Sequence, residues 1–419
     1  MTNAALHQEK RNLLFSKLTN NSVAMFASGF SAFKSADSMH HFVVNKNFYY
    51  LTGLEQENII LLIANFDGKK QEYLFIDEND PIMVKWVGAK YTKEEASLIS
   101  GVDIKNIMYH GAFDNFMSNL LQPLRYSLGV VERVYLDLEE RNVPLYNTYS
   151  LEYAKTLHEK YPGIEIKNIY ADVVELRMTK SDGEVDLIKE SIATTKRAIY
   201  NVMNHHHELT SEKIANAHYN FIHNIEDKII SFNSIIAAGE NGTILHYEEN
   251  NSDINSDDLL LMDVGTYTKQ YASDITRTFP VSGKFTKRQK EIYEIVLECN
   301  KKCIEYATDG MSWQELNDYA KNILAEGLIR LGLIKEHSEL SKYYYHSIGH
   351  SLGLDVHDPS IAKFGLKAGM VITIEPGLYI AEEKIGIRIE DNILITCDKA
   401  ILLSKDIIKE VSDIEEMMK

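Results

Sequence analysis

Cysteine is scarce in this sequence: Cys299, Cys303 and Cys397 are the whole complement, and no two of them make a CxxC pair. An odd, scattered set supplies neither a disulfide framework nor a thiolate zinc site, and it suits a reducing cytoplasm. Long apolar runs are missing as well. The longest, residues 59–64, falls far short of a membrane span, and the opening MTNAALHQEKRNLLF is polar where a signal peptide needs an apolar core. A soluble, unexported chain is expected. Positive charge is in deficit: Lys+Arg 44 against Asp+Glu 61 leaves a formal net charge of -17, which repels phosphate backbones and anionic membranes. Nucleic acid and membrane surfaces are therefore excluded as expected partners. Neither GxxxxGK[ST] nor a GxGxxG following a strand occurs, so no phosphate loop is expected.

What is present suggests two or three domains over 419 residues. Residues 1–170 alternate helical periods (7–18, 93–100, 115–126, 150–161) with strand-like runs (23–26, 48–51, 59–64, 72–76, 131–136), which predicts a mixed α/β domain. Near residues 169–184 the text changes, and Lys180, Ser181, Asp182 and Gly183 read as a connector before an amphipathic stretch at 184–203. The boundary is placed between 1–176 and 177–419. His205, His206 and His207 point in successive directions within a polar context and read as a solvated loop. Cys299 and Cys303 lie four apart in a long helix, 287–308, and read as half-buried thiols. A second long helix is expected at 312–331.

The chemistry concentrates after residue 258. Asp263 closes the apolar run 259–262, and Asp274 belongs to a period-2 stretch, 271–279, so two strands are expected to bring two acids inward together. Glu375 ends the apolar strand 371–374 just before Pro376. In GIRIED, Ile387 and Ile389 alternate with Arg388 and Glu390, which places the arginine and the glutamate on one face. Burying an unpaired carboxylate costs several kcal/mol. Four convergent acids would be balanced by two divalent cations and not by one. Three histidines, His346, His350 and His357, lie nearby, and no Glu follows His346, so HExxH is absent. Oxygen-rich ligands with one imidazole favour Mn²⁺, with Co²⁺ or Zn²⁺ also fitting. Two such ions can acidify a water, so the expected chemistry is hydrolysis. One competing motif is GHSLG at 349–353, which matches the serine-hydrolase elbow GxSxG. The only histidine after Ser351 is His357, six residues on, and Asp355, Asp358 and Pro359 follow where a helix should open, so this reading is set aside.

The pieces ILHY (244–247), MDVGTYTKQYASDITRTFP (262–280), HSIGHSLGLDVHD (346–358), TIEPGLYI (373–380) and GIRIED (386–391) together resemble the pita-bread metallopeptidases, in the branch of Xaa-Pro aminopeptidase (aminopeptidase P) and prolidase. NKNFYYLTGLEQEN (45–58) and LRMTKSDGEVDLIK (176–189) resemble that branch more loosely. The resemblance implies an α/β (α+β) chain: a mixed N-terminal domain of the creatinase/aminopeptidase P kind, then a catalytic pita-bread domain with a curved antiparallel sheet wrapped by helices. It puts the metal ligands on Asp263, Asp274, His350, Glu375 and Glu390. Catalytic roles fall on Glu375, His357, His246, His346 and Arg388, and substrate contacts on His246, His346, His357, Tyr379 and Trp86. Glu375 is then the proton shuttle, and Arg388 holds a ligating carboxylate. Val43 and Val44 stand where the family has an Arg-Gln pair, and Val84 where it has an acid.

The implied activity is removal of the N-terminal residue from peptides with proline second, through a hydroxide bridging two metals, in a cytoplasmic homodimer. Prolidase, which takes only dipeptides, is the alternative on the same metal site. A non-catalytic pita-bread binding module is the alternative of another class, and the intact ligand set argues against it.

Overall fold

The computed structural model describes residues 3–122, 130–141 and 148–419, and the chain divides into two compact units, Met1–Arg177 and Met178–Lys419. In the first, six strands form one mixed sheet. Ser22–Ala27 lies inside it, antiparallel to Ile60–Phe66 and parallel to Arg133–Leu136, while Lys69–Ile76, Ile107–Tyr109 and Glu165–Asn168 extend the two sides. Val23, Met25, Ile60, Leu62 and Phe75 build its core with Phe113 and Met117 from the helix Phe113–Leu121. The helix expected at 115–126 is described as far as residue 122, and its remainder lies outside the described residues.

One expected strand is a helix. Residues 48–51 belong to the helix Lys46–Thr52, whose Phe48, Tyr49, Tyr50 and Leu51 are all buried. A helix buried all round shows no amphipathic period, so its aromatic run reads as a strand. Its ends carry the local signal: the Asn45 side chain accepts from the Phe48 N–H, and Gly53 adopts φ 68°, the left-handed stop.

The second unit is built on short antiparallel sheets. Ile235–Ala238, Leu259–Val264 and Ile275–Pro280 form one, Ile229–Ile230, Thr266–Thr268 and Tyr271–Ala272 another, and Val371–Ile374, Asp391–Leu394 and Ile401–Leu402 a third. Gly377–Ile380 pairs with Ile385–Arg388. Ile229–Ile230 and Ile235–Ala238 are separate strands, parted by a short break, and belong to different sheets. Helix Asp182–Asn204 packs on Thr266–Thr268, helix Glu212–Glu226 on Ile235–Ala238, and helix Lys287–Tyr306 on Ile385–Arg388, which gives the sheets the helical wrapping that the resemblance implies. Capping boxes Ser181/Glu184, Thr286/Gln289 and Ser312/Glu315 open three of the long helices.

Two expectations about surfaces fail. His206 is buried and bonds through Nδ1 to the Val281 carbonyl, inside a 3-10 turn, so that triple histidine is not a solvated loop throughout. Cys299 and Cys303 are fully buried, with their sulfurs 3.9 Å apart.

Candidate metal centre and catalytic cleft

A cavity of about 500 Å³ in the C-terminal unit is lined by Asp263, Asp274, His350, Glu375 and Glu390, together with His246, His346, His357 and Arg388. The sheet register explains the convergence. Asp263 sits on the central strand Leu259–Val264, opposite Thr276 of Ile275–Pro280. Asp274 falls in the break between Tyr271–Ala272 and Ile275–Pro280, and Asn392 clamps its peptide from both sides: Asn392 Oδ1 accepts from its N–H at 3.2 Å and Nδ2 donates to its carbonyl at 2.6 Å. Glu390 likewise lies in a break, after Ile385–Arg388 and before Asp391–Leu394, so it and Arg388 do not share one continuous strand. Its N–H donates to the Thr276 carbonyl at 3.0 Å, and Arg277 Nη1 donates to its carbonyl at 2.6 Å.

His350 and Glu375 approach from the other wall. The Glu375 N–H donates to the Ile348 carbonyl at 2.8 Å, and the His350 N–H donates to Thr373 Oγ1 at 3.1 Å. Gly349 permits this pairing, because a Cβ there would stand 2.0 Å from the Thr373 carbonyl oxygen. His350 Nδ1 donates to the Ser351 carbonyl at 3.0 Å, which leaves the Nε2 lone pair facing Asp274 Oδ2 at 3.4 Å and Glu375 Oε1 at 3.6 Å. Three overlapping sets, Asp263/Asp274/Glu390, His350/Glu375/Glu390 and Asp274/His350/His357, keep their ligand atoms within 4.8 Å of one another.

Electrostatics says what this cluster needs. Burial first, then Asp263 and Glu375, pushes the Asp274 carboxyl well above its ordinary range. Burial and then Asp274 do the same to Glu390, and burial raises Glu375. Asp263 Oδ1 and Glu390 Oε1 are buried with no hydrogen-bond partner among the described residues. Orphaned oxygens on mutually repelling carboxylates, beside an aimed imidazole lone pair, fit divalent cations.

A second network runs from the cluster to the cleft's other end. Arg388 Nη2 donates to Asp263 Oδ2 at 2.6 Å, its Nε to Thr276 Oγ1 at 3.1 Å, and its Nη1 to the Tyr379 hydroxyl at 3.0 Å. Thr276 passes its proton on, donating to Glu390 Oε2 at 2.8 Å. Tyr379 OH lies 2.9 Å from His346 Nε2, and His346 Nδ1 donates to the Ser347 carbonyl at 2.8 Å. Burial holds the His346 and His357 imidazoles down at about 4, so both are neutral at pH 7. Both nitrogens of His346 are therefore engaged, and it offers the cleft its ring. The His357 ring lies against that of His350, centroids 4.0 Å apart and planes tilted by 45°. His246 is exposed in a turn beyond the 3-10 segment Gly239–Thr243, which rests on Gly386; a Cβ at Gly386 would meet the Gly242 carbonyl oxygen at 1.9 Å.

Of the remaining expected site residues, Tyr379 acts from behind Arg388 and His346, and Trp86 belongs to the N-terminal unit, on the short helix Met83–Val87, with 80% of its surface exposed. Ser351 is buried, bridges to Ile372 and does not line the cavity, so GHSLG is no nucleophile elbow. Sequence reasoning missed Thr276, Thr373 and Asn392, whose roles come from partners 114, 23 and 118 residues away.

Residues 186–397 match the family described as metallopeptidase family M24, and residues 7–127 match the aminopeptidase P N-terminal domain. A Haemophilus influenzae Xaa-Pro aminopeptidase is 32% identical over 98% of this chain and 96% of its own. An Arabidopsis thaliana mitochondrial intermediate cleaving peptidase 55 is 29% identical over 98% of this chain and 82% of its own. Among solved structures, zinc-substituted Escherichia coli aminopeptidase P with product superposes with a TM-score of 0.90 at 29% identity, covering 99% of this chain and 98% of that one.

Proposed function

The chain belongs to metallopeptidase family M24, and on that premise we propose that it hydrolyses the first peptide bond of substrates whose second residue is proline, as an Xaa-Pro aminopeptidase. The observation that carries this reading is the convergence of Asp263, Asp274, His350, Glu375 and Glu390 with His246, His357 and Arg388 in one cavity. Asp263, Asp274 and Glu390 would hold one divalent cation, and His350, Glu375 and Glu390 the other, with Mn²⁺ the ion that the carboxylate-rich set favours and Co²⁺ or Zn²⁺ acceptable to it. When bound, these ions make hydroxide available near neutral pH and polarise the scissile carbonyl.

The chain's own groups do the rest. Glu375 takes the proton released from the attacking water and delivers it to the proline nitrogen as the C–N bond breaks. His357, with no hydrogen bond to the protein among those described, donates to the oxygen on which negative charge develops. His346, held edge-on by Tyr379 and Ser347, packs its ring against the substrate's proline, and His246 closes the exposed side. Arg388 fixes Asp263 and, through Thr276, Glu390, so one guanidinium sets two carboxylates. Trp86 is assigned to substrate binding on the resemblance alone. No helix among the described residues is long and apolar enough to cross a membrane, and we place the enzyme in the cytoplasm as a homodimer acting on peptides and not on nucleic acid.

Chelator-stripped protein should be inactive, and Mn²⁺ should restore cleavage of Xaa-Pro-Xaa peptides. Ser351→Ala should keep most of that activity. Inhibition by a serine-directed phosphonylating reagent without chelator sensitivity would overturn the assignment.

A further inference from the structure

The cavity that holds the carboxylate cluster has an end that the mechanism leaves unused, lined by Phe232, Ile235, Leu245, Glu248 and Val356. Its place relative to the cluster follows from the chain. Ser231 Oγ donates at 3.0 Å to the carbonyl of Ser273, the neighbour of Asp274, and Phe232 lies against Gly265, where a Cβ would stand 2.9 Å from the ring. Ile235 pairs opposite Asp263. His346 is tied to the cluster by another route, through the Tyr379 hydroxyl and Arg388 to Asp263. Four side chains of the unused end are apolar, and the fifth is Glu248, which among the described residues is the one acid of the cavity outside the metal set. The fold fixes it at the exposed rim. Asn233 Nδ2 donates to Glu248 Oε2 at 2.8 Å, and Asn250 anchors the turn by donating to the Ser234 carbonyl at 2.7 Å and accepting from the Ile236 N–H at 2.8 Å. Glu248 pairs with no cation among the described residues.

We propose that Glu248 selects a basic side chain on the residue ahead of proline, the one the reaction releases, so that Lys-Pro and Arg-Pro termini are preferred. The proposal rests on the Xaa-Pro reading of the cleft. With the proline ring against His346 and the scissile carbonyl at the carboxylate cluster, the residue ahead of proline falls on the Phe232 side. Its α-ammonium is joined to the scissile carbonyl through a single carbon and stays beside the cluster, away from an acid at the rim. A lysine or arginine instead carries its charge at the end of a flexible aliphatic stem, which lies along apolar surface while the charged head remains in water. Phe232, Leu245 and Val356 supply that surface, and Glu248 supplies the opposite charge beyond it. A norleucine stem gains the first contact without the second, and a glutamate meets a like charge.

The test compares kcat/KM of the metal-loaded enzyme on Lys-Pro-Ala, norleucine-Pro-Ala and Glu-Pro-Ala. Lysine should exceed norleucine about two- to fivefold, the size of an exposed ion pair, glutamate should fall below both, and high salt should narrow the spread. Glu248→Gln should close the gap between lysine and norleucine. Glu248→Lys should reverse the order and favour the glutamate peptide, a result that damage to the fold cannot mimic. Equal rates on lysine and norleucine in the wild type, or a Glu248→Gln variant that keeps the gap, would overturn the selection while leaving the Xaa-Pro activity standing. A Glu248→Gln variant that loses the same factor on all three peptides would assign the carboxylate to the α-ammonium or the fold, and would overturn it as well. Failure to cleave any Xaa-Pro peptide would overturn the Xaa-Pro reading and the selection together.

Discussion

Replacing Lys180 by methionine should destabilise the catalytic unit by several kcal/mol, because it removes one member of a buried ion pair. Lys180 Nζ lies 3.0 Å from Asp358 Oδ2, with only 2% and 1% of the two side chains exposed. The pair shuts the loop that carries His357 and follows His350. The Asp358 N–H donates to the Ser351 carbonyl at 2.9 Å, Asp358 Oδ1 accepts from the Asp355 N–H at 3.2 Å, and a Cβ on Gly353 would stand 2.6 Å from Asp358 Oδ2. Taking away the cation leaves a buried carboxylate that must stay charged without its ammonium or take up a proton. Removing one member of a buried pair costs about 3–5 kcal/mol, while replacing both with apolar groups of similar volume is close to neutral. At about 2–4 °C per kcal/mol for a domain of this size, Lys180→Met should lower the melting temperature by about 6–20 °C. Asp358→Leu in the Lys180→Met background should recover most of the loss. Scanning calorimetry of the wild type, both single variants and the double variant closes the cycle. A single variant that melts within about 2 °C of wild type, or a double variant as unstable as the two losses added, would show that the ion pair does not hold this loop.

Metal binding gives further expected outcomes. Because the cations bind only the folded site, a concentration about 100-fold above Kd should add about 2.7 kcal/mol per site, and equal melting temperatures for stripped and Mn²⁺-saturated protein would contradict the ligand set. Glu390→Gln should lower metal content by elemental analysis as well as turnover, whereas His357→Ala should keep its metal and lose kcat by about 10²–10³-fold; the opposite pattern would exchange their roles. In the N-terminal unit, burial raises the Asp137 carboxyl to about 6, and Asn47 Nδ2 donates to both of its oxygens. A carboxyl raised on folding holds its proton more tightly folded than unfolded, so its cost is absent below its ordinary value of 3.8 and fully present above about 6. Over those two units that is about 3 kcal/mol. Urea unfolding of Asp137→Asn should show it gaining on the wild type as pH rises from 4 to 7, and parallel curves would refute the burial argument.

How much of this was legible in the sequence depends on where each residue's meaning resides. Where the apolar runs fall, and where an acid interrupts them, is local information, and Asp263 at the close of LLLM and Glu375 at the close of VITI stand in the structure as the text places them. The capping boxes at Ser181, Thr286 and Ser312 are equally local. The helix at Lys46–Thr52 was not legible by period, because burial on every side erases the amphipathic contrast that period needs; only Asn45 and Gly53 mark its ends. Lys180 reads as a surface connector because its partner is 178 residues away.

The remaining gap concerns Asp274 and Glu390. The sequence pattern places both in alternating strands, and both lie instead where strands break. A side chain within a paired strand is confined to one of two faces, and its peptide groups are committed to the ladder. At a break the backbone can be aimed freely, provided other groups satisfy it. Asn392 does this for Asp274, and Thr276 and Arg277 do it for Glu390. Aiming four carboxylates at one point costs stability, since burial and the neighbouring acids raise the proton affinity of Asp274 and Glu390. Packing alone would favour apolar side chains at such positions. The fold retains acids there and spends Arg388, Thr276 and Asn392 on holding them, an expense that a cation filling the orphaned oxygens of Asp263 and Glu390 offsets and that a purely structural core would have no cause to bear.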